Sequence, residues 1–516
     1  MRVISQLKKN EYGRPTFFVG LSIDEYYEQI KPLLDGMGEH RSHDMFDVEK
    51  RIECLKYQKN DKRYLESQRH WVAETYGCSD ADDLYAVIDK ELNNGFIAER
   101  AFPVAGMQMD PWERYPETII ERVEELNSLP LIDYDKVQTC NRNTPEYFRG
   151  CLIGGAIGDA LGYAVEFSSY PSIIAKYGRE GITKYDIAKG EKARISDDTQ
   201  MTLFTANGIL IALTRGMADP YTYCFYTYKD WLKTQGYKTE YEHKYTWLLD
   251  VPELHARRAP GNTCLTALQG KEMGTIDNPF NTSKGCGAVM RMAPFGLAYG
   301  KYEAEDPQKF WDQAASVGAL THGHHMSHLS CALFASIIGR IIYGASINQT
   351  DLKKVIVYAI AQMRSEIRGY KHRETFCDIM DKAVMLSENN SSDVENIHLL
   401  GAGWIAEEAL AIAIYCACKY QNDPIKGIIA AVNHSGDSDS TGSIAGNILG
   451  AWNGVSKFDD YWIDNLEIKN VIIDVADDMK YIMDNRRHRK IDYYKFVESR
   501  RAMNRHPVEI DENEDK

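Results

Sequence analysis

Two carboxylates one residue apart, Asp437 and Asp439, stand in the stretch HSGDSDSTGSIAG (434–446), directly before the small, apolar run NILGAWNG. Asp and Ser are the usual residues at a helix start, so capping accounts for one of the pair. The second repels the first unless a proton or a cation lies between them. Two further acidic stations share this setting. Asp197 and Asp198 sit side by side in ISDDTQ, and Glu166 closes GDALGYAVEF. Ser196, Thr199, Ser440 and Thr441 add neutral oxygens beside the acids. Taken singly, each station reads more simply as a cap or a surface residue. Taken together, five carboxylates converging from helix ends must either take up protons or hold cations. An all-oxygen donor set suits a hard divalent ion, Mg2+ or Mn2+, and not zinc. Five charges neutralise two such ions with one carboxylate over, which predicts a binuclear centre.

A second constellation is NTSKGCGAVMRMAPFGL (281–297). Ser283, Gly285, Cys286 and Gly287 precede an apolar run, so free backbone amides at a helix start would form a cradle for a phosphate or diphosphate. The same glycines also read as a plain turn. Arg291 lies one helical turn on, where it either adds a charge-assisted anion contact or pairs with a core acid. The run LTHGHHMSHLS holds His322, His324, His325 and His328. His324 and His328 are four apart, as in zinc-binding pairs, but no glutamate lies between them and no third ligand is evident. A histidine metal site is therefore not expected, and His322 is placed at the rim of the cavity.

These residues need elements to position them. The apolar segments YFRGCLIGGAIGDALGYAVEF, SDDTQMTLFTANGILIALTRG, HMSHLSCALFASIIGRIIYG and GWIAEEALAIAIYCACKY are rich in small residues, as helices buried among helices must be. They predict an all-α domain over residues 147–485. Residues 1–140 are more polar, with helical spacing in IDEYYEQIKPLLDGM, DLYAVIDKELNNGF and ETIIERVEELNSL and one short strand candidate, FFVGLS. They are expected to form a mostly helical accessory or partner-binding region, joined by a connector at 131–145. Residues 486–516 read as a basic helix followed by an acidic tail. The 516 residues carry a net charge of −15, which argues against a dedicated nucleic-acid binder. No stretch approaches the roughly 20 unbroken apolar residues of a membrane span. The start lacks the apolar core of a signal peptide, and the eleven cysteines show no framework spacing. Reduced thiols and a cytoplasmic location are expected.

In this order, GCLIGGAIGDALGYAVEF, SDDTQMTLFT, SKGCGAVMRMAPFGL, LTHGHH, GWIAEEALAIAIYC and SGDSDSTGSIAGNILGAWNG resemble the ADP-ribosylglycohydrolase family, over about residues 147–460. The combination is specific although no single piece is, and nothing before residue 140 takes part. The resemblance implies an orthogonal all-α bundle with two Mg2+ or Mn2+ ions at the base of a cleft. It implies Ser196, Asp197, Asp198, Asp437, Asp439 and Ser440 as ligands. Glu166 would stand at the metal or act on its water. Family members often carry Thr where this chain has Ser196 and Ser440. The Ser283–Gly287 segment falls where the family holds the diphosphate of ADP-ribose.

The implied reaction is hydrolysis at the anomeric carbon of ADP-ribose on a modified protein, through an oxocarbenium-like state. Glu166, Asp198 and Asp437 are the candidates for the base. Arginine is the expected linkage, from a general likeness to bacterial arginine-type members. Serine, a nucleic-acid base and free ADP-ribose derivatives remain alternatives. A separate reading makes the protein an antidote to an ADP-ribosylating toxin, binding the ADP-ribosyltransferase through residues 1–140.

Overall fold

The computed structural model describes residues 141–240, 242–344, 351–485 and Val497. The expected helical region 1–140 with its strand candidate, and the basic stretch and acidic tail at 486–516 apart from Val497, lie outside the described residues. Among the described residues there are sixteen α-helices and no strand, only two isolated bridges that pair Ala193 with Leu466 and Gly285 with Ile405. The all-α expectation holds.

The ten helices that build the core and the site are numbered here in chain order. They are α1 (Pro145–Tyr163), α2 (Asp197–Thr214), α3 (Tyr221–Thr234), α4 (Ala293–Tyr299) and α5 (Pro307–Ala319), then α6 (His325–Tyr343), α7 (Ala406–Lys419), α8 (Pro424–Val432), α9 (Ser438–Asn453) and α10 (Lys469–Asn485). Local signals explain several ends. Pro145 opens α1 after an extended Thr144, Asp306 and Asp423 cap α5 and α8 just before a proline, and Gly454 (φ 84°) closes α9.

The central pair is α1 against α9, running antiparallel. Gly150, Gly154, Gly158 and Gly162 of α1 face Gly450, Gly446, Gly442 and Ser438 of α9. A Cβ on any of those four α1 glycines would overlap the carbonyl of its opposite residue, so the two backbones touch directly. Small residues spaced by four are what allow such an approach. The Asn447 side-chain amide donates to the Cys151 carbonyl at 2.7 Å, which adds a directional bond to this contact. The consequence is positional: the C-terminal end of α1, with Glu166 just beyond it, is set beside the N-terminal end of α9, with Asp437 and Asp439.

Helix α6 is long and apolar enough to cross a membrane by composition, but 89% of its apolar window is buried inside the protein, as a core helix requires. Apolar side chains of all ten helices belong to one continuous core. Eight described cysteines are free thiols, and all but Cys286 are buried.

Candidate active site and metal centre

At α2 the helix start is satisfied by residues other than the paired acids. At the start of α2 the Ser196 hydroxyl accepts from the Asp198 amide at 3.3 Å. Asp159 of α1 supplies the remaining acceptors. Its carboxylate takes the Ser196 amide at 2.9 and 3.1 Å, the Thr199 amide at 3.0 Å and the Thr199 hydroxyl at 2.5 Å. Asp197 and Asp198 are thereby free of the cap. At α9, Asp437 occupies the N-cap position but its side chain makes no capping bond. Its Oδ2 accepts instead from the Cys286 thiol at 2.6 Å. The Asp439 carboxylate accepts the Ser440 amide at 3.0 Å.

The three stations meet. Glu166, Asp437 and Asp439 each offer an oxygen within 4.8 Å of the others. Asp198 Oδ2 lies 3.4 Å from both the Ser196 and the Ser440 hydroxyls, which ties the start of α2 to the start of α9. Asp197 and Asp198 stand outside the closest trio but belong to the same electrostatic group. Asp197 accepts the Gly261 amide at 3.2 Å. No acid of the five is more than 6% exposed.

Burial and repulsion raise Glu166, Asp197, Asp198 and Asp437, and Asp159 beneath them. Glu166 is pushed up to about 10, first by burial and then by Asp439, Asp437 and Asp197. Asp197, Asp198 and Asp437 are held well above the usual carboxylate range, again by burial and then by the Asp439 charge. Asp159 is raised to about 7 by burial and Asp439, against the pull of its hydrogen bonds. Glu166 Oε2 and Asp198 Oδ1 are buried without a hydrogen-bond partner. Orphaned carboxylate oxygens in a crowd of like charge fit a hard divalent cation, which would satisfy both the lone pairs and the charge.

The anion cradle differs from the sequence expectation. Residues 286–288 form one short 3-10 turn, not the start of a long helix. The Gly285 amide donates to the Ser283 hydroxyl at 3.3 Å and the Cys286 amide to the Trp404 carbonyl at 3.2 Å, so neither is free for a phosphate. The Cys286 side chain faces the carboxylates. His322 is not at a rim: it is 2% exposed, lies beneath this loop, and is held neutral with its pKa lowered to about 3 by burial. Its Nδ1 shares a 2.8 Å hydrogen bond with the Thr321 hydroxyl, and a Cβ on Gly285 or Gly287 would press on its ring. Those glycines let the loop lie flat on the imidazole.

Arg291 does neither of the things open to it in sequence. It is fully buried, donates to the Thr321 hydroxyl at 2.6 Å, and stacks 4.5 Å from the centre of the Tyr228 ring. His328 is buried with Nε2 bonded to the His322 carbonyl, and His324 Nδ1 caps α6.

Sequence reasoning missed three residues. Asp159 was detectable as a lone acid in the otherwise small and apolar GGAIGDALG. Phe167 and Trp404 stack at 6.0 Å and remain 77% and 44% exposed, beside Glu166 and the 285–286 loop. Their pairing joins residues 237 positions apart, and no local pattern marks it.

An all-α fold here gathers buried carboxylates from helix ends into a cluster that could hold a metal ion. The family profile for ADP-ribosylglycohydrolase matches residues 141–490, and the chain belongs to that family, whose reaction is the hydrolytic removal of ADP-ribose. Relatives include the ADP-ribosyl-[dinitrogen reductase] glycohydrolase of Rhodospirillum rubrum, 25% identical over 62% of this chain and 90% of that protein. The ADP-ribosylhydrolase ARH3 of Mus musculus is 24% identical over 62% of this chain and 87% of its own. The ADP-ribosylarginine hydrolase Tri1 of Pseudomonas putida is 21% identical over 62% of this chain and 73% of its own. A solved structure titled ADP-ribosylglycohydrolase-related protein complex aligns with TM-score 0.43 and 19% identity over 66% of this chain and 99% of that one.

Proposed function

We propose that this protein hydrolyses the bond between ADP-ribose and arginine side chains of modified proteins, with divalent metal held by the carboxylate cluster. The observation that carries the reading is the convergence of Glu166, Asp437 and Asp439 within 4.8 Å, with a buried Glu166 oxygen left unpartnered. Ser196, Asp197, Asp198, Asp437, Asp439 and Ser440 would hold two Mg2+ or Mn2+ ions. When bound, such ions neutralise the carboxylates, orient ribose hydroxyls and make water more acidic.

The chain's own residues do the rest. Glu166 follows α1 on a turn beside the exposed Phe167, so among the three candidate bases it has the best access to substrate. With the charge of its neighbours neutralised by bound cation, Glu166 would be ionised, and its carboxylate would take the proton of the attacking water as the oxocarbenium-like state forms. Asp198 and Asp437 are deeper and are assigned to binding. Asp159 holds the Ser196–Thr199 turn, and through it the Asp197-Asp198 pair, in place.

Arginine is favoured by the Phe167–Trp404 shelf, since a planar guanidinium stacks well on aromatic faces. It is also the linkage named for the Pseudomonas putida relative. Release of ADP-ribose from ADP-ribosyl-arginine, ADP-ribosyl-serine and modified nucleic acid, with Mg2+, Mn2+ or chelator, tests the proposal. Faster release from serine than from arginine would overturn the linkage, and full activity in chelator would overturn the metal.

A second role rests on the family match beginning only at residue 141. Residues 1–140 would bind an ADP-ribosyltransferase, making the protein an antidote in the cytoplasm as well as a hydrolase. Full-length protein that fails to co-purify with a transferase encoded beside it would count against this.

A further inference from the structure

The Cys286 thiol has no task in carboxylate chemistry, yet it stands inside the cluster. Its Sγ lies 2.6 Å from Asp437 Oδ2 and 3.6 Å from the Ser440 hydroxyl. That hydroxyl is 3.4 Å from Asp198 Oδ2, and the other oxygen of Asp198 is buried with no partner. Asp437 in turn belongs to the trio with Asp439 and Glu166, a residue whose Oε2 is buried without a partner. Sulfur, hydroxyl and carboxylate oxygens therefore border one small volume. The backbone fixes the thiol there, because the Cys286 amide is bonded to the Trp404 carbonyl and the residue opens the 286–288 turn.

We propose that Cys286 is a ligand of the divalent cation on the Asp437 side of the site, adding one sulfur donor to the oxygen set and raising its affinity for thiophilic ions while leaving that for Mg2+ nearly unchanged. The inference rests on the reading of the cluster as a metal site. An all-oxygen set selects hard ions, and one thiolate shifts a mixed set toward Co2+, Zn2+ or Cd2+. As the metal–sulfur bond forms, the thiol proton now shared with Asp437 passes to solvent, and no electron is transferred. The thiol joins the oxygen donors and displaces none of them.

The test uses full-length protein stripped by chelator and titrated with Co2+, Cd2+ and Mg2+, read by absorption and calorimetry, in wild type, Cys286→Ser and Asp439→Asn. Wild type is expected to gain a thiolate-to-metal charge-transfer band with Co2+ and Cd2+ that is absent from Cys286→Ser, so the difference spectrum cancels any binding at other cysteines. Cys286→Ser is expected to lose about tenfold or more in Cd2+ affinity while Mg2+ affinity moves less than about threefold. Equal Cd2+ affinity in both proteins with a flat difference spectrum would overturn the sulfur ligand and leave the carboxylate site standing. No binding by wild type beyond that of Asp439→Asn for any ion would overturn both.

Discussion

The Cα of Gly158 packs on the carbonyl of Gly442, backbone on backbone, and this contact sets where Glu166 stands relative to Asp439. Glu166 lies eight positions after Gly158, and Asp439 three positions before Gly442. A shift of either helix along the other would pull the acidic stations apart.

Gly158→Ala forces a methyl into the Gly442 carbonyl, with no flexible side chain to yield. We expect a loss of about 1–3 kcal/mol in stability, seen in urea unfolding. We also expect weaker divalent-ion binding, measured by calorimetry on the folded fraction. A variant as stable as wild type would show that the helices are not in direct backbone contact.

Asp159→Ala strips the Ser196 and Thr199 amides of a buried acceptor. The expected cost is about 1–3 kcal/mol, with hydrolysis reduced because the Asp197-Asp198 turn loosens. Asp159→Asn keeps one carbonyl acceptor and should recover part of the stability. If both variants hydrolyse substrate at the wild-type rate, Asp159 does not position the turn.

After burial, Asp439 is the largest charge raising Asp197, Asp198 and Asp437, so Asp439→Ala should act oppositely on stability and function. In chelator the variant is expected to melt at a higher temperature than wild type, while metal binding and ADP-ribose release are lost. Wild-type turnover in Asp439→Ala would remove it from the site.

The pH dependence has a defined sign. An unfolded carboxylate titrates near 4, whereas Asp159 is raised to about 7 and Glu166 to about 10. Between those values the native state holds protons that the unfolded chain has released. Metal-free stability is therefore greatest below about pH 4 for these groups, and falls as pH rises through about 7 toward about 10. Divalent ion favours the ionised acids, so its stabilisation should grow with pH. Melting curves from about pH 5 to about pH 8, with chelator or with Mn2+, check this. Parallel curves would mean that no cation meets these acids.

Phe167→Ala and Trp404→Ala remove the exposed shelf without touching the core. For ADP-ribosyl-arginine, KM should rise by about tenfold with kcat little changed, and much less for ADP-ribosyl-serine. Equal effects on both substrates would assign the shelf to ADP-ribose and not to the leaving side chain.

What residue type and spacing determine is local, and it was readable from the chain. The apolar, small-residue segments declared buried helices, and the SDDT and GDSDS stretches declared acid-rich helix starts. The order of these pieces pointed to the family that the profile match identifies. Whether an acid at a helix start caps the helix or faces a neighbouring acid depends on what else reaches the amides. That was decided by Asp159, 37 residues before Ser196, with which it bonds. The cradle went the same way: its glycines were visible, but Trp404 and Ser283 claim its amides, and Asp437 receives its thiol. Sequence by itself determined which groups could do chemistry. Only tertiary packing, through the backbone contact of α1 with α9, decided which of them share one volume, because repulsion and hydrogen bonding act over ångströms of space and not over positions in the chain.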